Sequence, residues 1–285
     1  MASVADEFAV TIPLAGDRLV GVVHGAGRSA RGLLVIVGGP QYRVGSHRQF
    51  LQLARFLAKR GIPVMRFDRR GMGDAEGESR HFTEAEADIC AAIDAFMAHS
   101  PGLESVVLWG LCDAASAAML YAPGDARVES LILLNPWVHT ETGQARAYLR
   151  HYYTKRLVSR GFWRKLMAGR MGLLKSLRSF AGVFGRAYMG RTETAEAGGE
   201  ETPGLVPMLH GCLARFDGGL CVITSEDDMT AAEFRDLVAD SWQWRTLMCA
   251  RQAEFHLIPG ANHTFSRRPW KDEVARLTLA WMRRD

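Results

Sequence analysis

Apolar and polar positions along this chain follow two periods. Short apolar runs over residues 33–37, 64–68, 106–110, 131–134, 220–224 and 254–258 have the length and the content of buried strands. Between them, residues 47–60, 83–99, 112–121, 231–250 and 270–282 carry apolar side chains three and four apart, which predicts helices. Residues 7–13 and 18–24 predict an antiparallel hairpin joined through Ala15, Gly16 and Asp17. Thr83, with Glu86 three positions on, reads as a capping box opening its helix. Strand alternating with helix predicts right-handed βαβ units, so the fold class is α/β with a mainly parallel central sheet flanked by helices. One interval breaks the rhythm. Between Pro136 and Gly219 lie about eighty residues of mostly helical character. The expected division is a core of residues 1–137 and 216–285, with residues 138–215 inserted after the sixth strand as a helical cap.

The chemistry sits at the strand ends. Val106 to Trp109 run into Gly110, Leu111, Cys112, Asp113 and Ala114, and then into an Ala-rich helix. This is the G-x-nucleophile-x-G pattern of a nucleophile elbow, with cysteine for the usual serine and Ala114 for the last glycine. The turn is so sharp that its neighbours must be small. An inert core cysteine would suit this stretch alone equally well. Three further pieces stand in order around it. Gly38, Gly39 and Pro40 follow an earlier strand, where half of an oxyanion hole belongs. Ser225, Glu226, Asp227 and Asp228 follow a later one, and Asn262 and His263 follow the last. Asp68 to Gly77 is similar to a D-x-R-G-x-G-x-S-x-G stretch. The order nucleophile, acid, histidine resembles that of the α/β-hydrolase fold.

Composition narrows the setting. At 285 residues and 48% hydrophobic, the chain has enough apolar material for a buried parallel sheet. The start of the sequence has neither the basic nor the apolar region of a signal peptide, and no apolar run is long enough to span a bilayer. The five cysteines are odd in number and lack metal-ligand spacing. Three of the four besides Cys112 read as core residues, and Cys212 has no assignment. A cytoplasmic location and no metal or organic cofactor are expected. Residues 145–191 hold twelve Lys or Arg and no acid, whereas residues 192–202 hold four Glu and no base. A positive cap would attract an anionic substrate, an acyl carrier or a membrane face, though a solvated helix exterior explains it equally simply. With a net charge of only +4 and no binding motif, nucleic acid is not an expected partner.

Residues 38–50, 109–116, 135–137 and 263–268 together resemble the exosortase A system-associated hydrolase type 1 family, a likeness that covers nearly the whole chain. It implies an α/β-hydrolase encoded beside exosortase and exopolysaccharide genes, and implies nothing about the substrate. Cys112 at a helix N-terminus meets the positive end of the helix dipole, which favours thiolate. His263 is then the base and acid, and Asp228 orients it, chosen over Asp227 and Glu226 by spacing. The backbone N–H groups of Gly39 and Asp113 are the expected oxyanion donors, since Pro40 has no N–H to give. Gln41, Tyr42, Arg43 and Trp137 are candidate substrate contacts; His47 and Arg48 fit an outer helix surface as well as a substrate. Asp68 and Arg70 are expected to tie loops together beneath the site. The expected function is hydrolysis of a small-molecule or carrier-linked acyl ester or thioester through an acyl-cysteine. Acyl transfer to a saccharide or lipid-linked acceptor is the first alternative, and a non-catalytic partner protein is the second.

Overall fold

The structure is a computed structural model and describes residues 7–25, 29–39, 41–138 and 204–284. Most of the expected cap, residues 139–203, therefore falls outside the described residues, whereas its last part, residues 204–215, is described.

Eight strands form one sheet in the order β1-β2-β4-β3-β5-β6-β7-β8. They are β1 (Glu7–Leu14), β2 (Asp17–His24), β3 (Arg31–Ile36), β4 (Val64–Asp68), β5 (Ser105–Leu111), β6 (Val128–Leu134), β7 (Gly219–Asp227) and β8 (Glu254–Asn262). The expected hairpin is present: β1 pairs antiparallel with β2 through Ala15 and Gly16, both at positive φ. That backbone matches the twist of a two-residue hairpin turn. β2 pairs antiparallel with β4, and every later pair is parallel.

Helices cover both faces because side chains alternate along each strand. Leu34 and Ile36 of β3, Leu108 of β5 and Val222 of β7 join the core on one face. Against it lie α2 (Glu86–His99), α3 (Asp113–Tyr121), α4 (Leu205–Arg215), α5 (Met229–Asp240) and α6 (Trp242–Ala250). Leu33 and Val35, Trp109 and Ile223 join the core on the other face, which α1 (Gln49–Ala58) and α7 (Arg268–Met282) cover. Two indoles cross from core to polar partners, Trp109 Nε1 donating to Thr278 Oγ1 and Trp281 Nε1 to Ser130 Oγ. No described helix is long and apolar enough to cross a membrane.

Three expectations are corrected. Residues 231–250 are two helices, because Ser241 takes extended backbone and its hydroxyl caps α6 by accepting from the Trp244 N–H. Thr83 does not cap α2: it lies in a short 3-10 turn ahead of the helix, and its hydroxyl pairs with His81 Nδ1. Of the three cysteines expected in the core, only Cys221 is fully buried, where burial pushes its thiol up to about 12, whereas Cys90 is partly buried and Cys249 is exposed.

The loop after β4 is held as its sequence suggested. Asp68 is fully buried and accepts from the backbone N–H groups of Arg43 and Asp74. Arg70 and Asp88 form a buried ion pair with Nε to Oδ1 at 2.6 Å, and Asp88 Oδ2 also accepts the Arg70 N–H. Removing one partner of such a pair leaves an uncompensated buried charge. Asp88→Ala should therefore lower unfolding free energy in urea by about 3–5 kcal/mol.

Candidate active site

The parallel strands all point their carboxyl ends the same way, so chemistry carried by separate loops meets above one edge of the sheet. The sharpest local geometry there is at Cys112, between β5 and α3, with φ 63° and ψ −125°. A non-glycine residue in so sparsely populated a region costs of order 1–3 kcal/mol and persists only where its surroundings impose it. Here they do. The Cys112 N–H donates to the Leu134 carbonyl, and the Cys112 carbonyl accepts from the Ala115 and Trp137 N–H groups. A Cβ on Gly110 would stand 2.5 Å from the Ala114 backbone, and one on Gly38 would stand 2.0 Å from Asp113 Oδ1. Small residues are therefore obligatory on two sides of the turn, while the methyl of Ala114 is simply buried.

His263 follows β8 and brings Nδ1 to 2.9 Å from Asp228 Oδ2. The hydrogen bond to Asp228, and after it the one to the Cys112 thiol, outweigh burial and raise the imidazole from 6.5 to about 10. Asp228 is itself fixed: it caps α5, its Oδ2 accepting the Ala231 N–H at 3.1 Å. The neighbouring acids point elsewhere. Glu226 accepts from the Gly260 N–H, and Asp227 stays in strand pairing beside Asn262. Between Ser225 and Asp227 the β7–β8 register shifts. Irregularities of this kind re-aim the side chains that follow them.

Asn135 ties these pieces together and was not singled out by its sequence. It is fully buried at φ 43°, just past β6. Its Nδ2 donates to Ser225 Oγ and to the His263 carbonyl, both at 2.9 Å, and its Oδ1 accepts the Ser225 N–H at 2.8 Å. One side chain thus spans the ends of β6 and β7 and the histidine loop. A positive-φ asparagine after a strand is a recognisable signal only once the strand end is known.

The oxyanion side differs from expectation in one respect. The Gly39 N–H is not open: it donates to Asp113 Oδ2 at 2.9 Å. A short acid directly after the elbow reaches across to the glycine loop and staples it to the helix start. Asp113 Oδ1 is enclosed without a partner among the described residues.

Cys112, Asp113 and Trp137 border a cleft of ≈ 400 Å³, with Gly39, Arg69 and Arg80 on its other sides. An adjoining groove of ≈ 540 Å³ shares Gly39, Met72 and Ser79 with it and is bordered by Gln41 and Tyr42. Of the candidate contacts, Trp137 thus borders the cleft beside Cys112, and Tyr42, 47% exposed, lies along the groove. Gln41 Oε1 accepts the Ser46 N–H. Arg43 is held by Asp68 and Asp74, so it braces its loop. His47 and Arg48 are exposed at the entry to α1. Asn135→Ala would leave several buried polar groups unpaired and should cost about 2–4 kcal/mol in urea unfolding.

Comparison with known proteins bears on the family and the fold. The sequence pattern of the alpha/beta hydrolase family matches residues 22–277. A thiohydrolase of Aspergillus aculeatus is 34% identical over 89 residues, which is 30% of this chain and 28% of that protein. A solved esterase of Pyrococcus furiosus superposes with a TM-score of 0.61 at 16% identity, covering 98% of this chain and 91% of its own. The ferulic acid-bound Est1E of Butyrivibrio proteoclasticus gives 0.62 at 14% identity, covering 96% and 97%. These structures share the fold. The chain belongs to the alpha/beta hydrolase family.

Proposed function

We propose that this protein is a cysteine-dependent hydrolase of small acyl esters or thioesters. The observation that carries the reading is the strained Cys112 turn beside a His263 that is bonded to Asp228. An imidazole raised to about 10 holds its proton at neutral pH, so it can stabilise a thiolate at Cys112 as an ion pair. The sulfur attacks the acyl carbon, forming the S–C bond and a tetrahedral oxyanion. Collapse breaks the bond to the leaving group, which takes the proton from His263. Neutral His263 then accepts a proton from water as its oxygen attacks the acyl-cysteine, and collapse breaks the S–C bond, releasing the acid and restoring the Cys112 thiolate beside protonated His263. Asp228 keeps the imidazole in the useful orientation throughout.

The Asp113 N–H at the start of α3 is the oxyanion donor we assign first. Gly39 joins it only when the Asp113 carboxylate releases its N–H. Trp137 and Tyr42 border the space an acyl group and its leaving group would fill, and Gln41 shapes the groove wall. Thioesters suit a thiol nucleophile, and the name of the Aspergillus relative, a thiohydrolase, supports that choice. The resemblance in residues 38–50 and 109–116 supports a role beside exosortase and exopolysaccharide systems. Five unpaired cysteines support a reducing, cytoplasmic setting.

Acyl transfer is the second reading, favoured by the groove that adjoins the Cys112 cleft and has room for an acceptor. Intact-protein mass after brief exposure to acyl nitrophenyl esters and acyl thioesters separates the two. Hydrolysis predicts an adduct that needs Cys112 and decays in water. Transfer predicts one that persists until an alcohol, amine or sugar is added. The Cys112→Ala variant should form none. Equal turnover by that variant would overturn the nucleophile assignment.

A further inference from the structure

The cleft at Cys112 contains a cation that the acyl-hydrolase reading does not use. Arg69 follows β4 and borders this cleft, yet it is only 5% exposed. Its Nε donates to the Val37 carbonyl at 2.9 Å. Its guanidinium forms no ion pair among the described residues, and neither terminal nitrogen has a hydrogen-bond partner there. A buried guanidinium with no carboxylate bonded to it among the described residues is costly to keep, because its charge has lost water and is offset only in part by the charges of Asp113 and Asp88.

The acids nearby are occupied. Asp88 is paired with Arg70, and Asp113 gives Oδ2 to the Gly39 N–H while its Oδ1 is enclosed. Desolvation pulls the Arg69 pKa down, and the charges of Asp113 and Asp88 offset that only in part. Arg80 borders the same cleft and is exposed, adding positive charge at its rim. Arg43, by contrast, is saturated by Asp68 and Asp74.

We infer that Arg69 is a receptor for a carboxylate on the acyl part of the substrate, so that the preferred substrates are half-esters or half-thioesters of short dicarboxylic acids. Arginine presents two parallel N–H donors that match the two oxygens of a carboxylate, and Met72, Phe82 and Trp137 supply apolar wall for the methylenes between. A chain of a few methylenes between the two carbonyl carbons fits a cleft of ≈ 400 Å³ that holds both the nucleophile and the arginine. The inference rests on the Cys112 hydrolase reading for its chemistry, but the receptor itself is testable without turnover.

The experiment compares glutaryl and adipyl thioesters of N-acetylcysteamine with the pentanoyl and hexanoyl thioesters, as the ratio of kcat/KM. The wild-type protein should prefer the carboxylated acyl groups at least tenfold. Arg69→Met should bring that ratio near one, and Arg69→Lys should keep part of it, since lysine supplies charge without the fork. Far-UV circular dichroism checks that both variants fold. In parallel, calorimetric titration of Cys112→Ala with glutarate should show binding that is lost when Arg69→Met is added. A wild-type ratio near one, or a ratio unchanged in Arg69→Met, would overturn the inference. Arg69-dependent glutarate binding without turnover of any thioester would keep the receptor and remove the hydrolase reading. Absence of both turnover and glutarate binding would overturn both.

Discussion

The turn at Cys112 is the constraint from which the rest of the site follows. A strand that is hydrogen-bonded on both sides must become a helix within one residue, so that residue adopts φ 63° and projects its side chain above the sheet. The strain is tolerated because β6 and the Trp137 backbone bond the turn from below, and Gly110 and Gly38 leave room for α3 to begin at once. A helix starting there directs its unpaired N–H groups toward the sulfur, and that is the most favourable end of the helix for an anion. Backbone geometry thus sets both the position and the electrostatics of the thiol.

The remaining groups are brought to that point by the same parallel register. β7 and β8 end beside β6, and buried Asn135 bonds to both Ser225 and the His263 loop, so the spacing between acid and histidine is fixed by the interior and not by surface loops. Asp228 is doubly restrained, by the helix it caps and by the imidazole it orients. On the opposite side, Asp113 holds the glycine loop closed against the helix start. The site is therefore rigid around the histidine and is held by one side-chain contact on the oxyanion side.

Much of this was legible in the order of the sequence. The strands around Leu33, Val64, Val106 and Leu220 and the hairpin at Ala15 and Gly16 follow from local periodicity, and spacing alone chose Asp228 over its two acidic neighbours. What escaped depends on partners distant in sequence. The helix expected over residues 231–250 breaks because the Ser241 hydroxyl finds the Trp244 N–H, a local bond that apolar spacing does not register. Thr83 satisfies His81 in place of a helix end. The closure of the Gly39 amide needs an acid 74 residues away, and that Arg69 bonds no acid among the described residues is visible only once Arg70 has taken Asp88. Asn135 lay in plain view between a strand and a proline, but its three bonds go to Ser225 at the end of β7 and to the His263 carbonyl, both distant in sequence.

The central claim is that Cys112, His263 and Asp228 behave as one electrostatic unit. Nitrogen-15 NMR titration of the His263 imidazole tests it most directly, in the wild-type protein and in Asp228→Asn. A group whose charged form is favoured by its partners keeps its proton as pH rises, so the wild-type ring should stay protonated through neutrality and lose its proton only near pH 10. Asp228→Asn should move that step well down toward 6.5. A wild-type midpoint near 6.5, or one that Asp228→Asn leaves in place, would contradict the account.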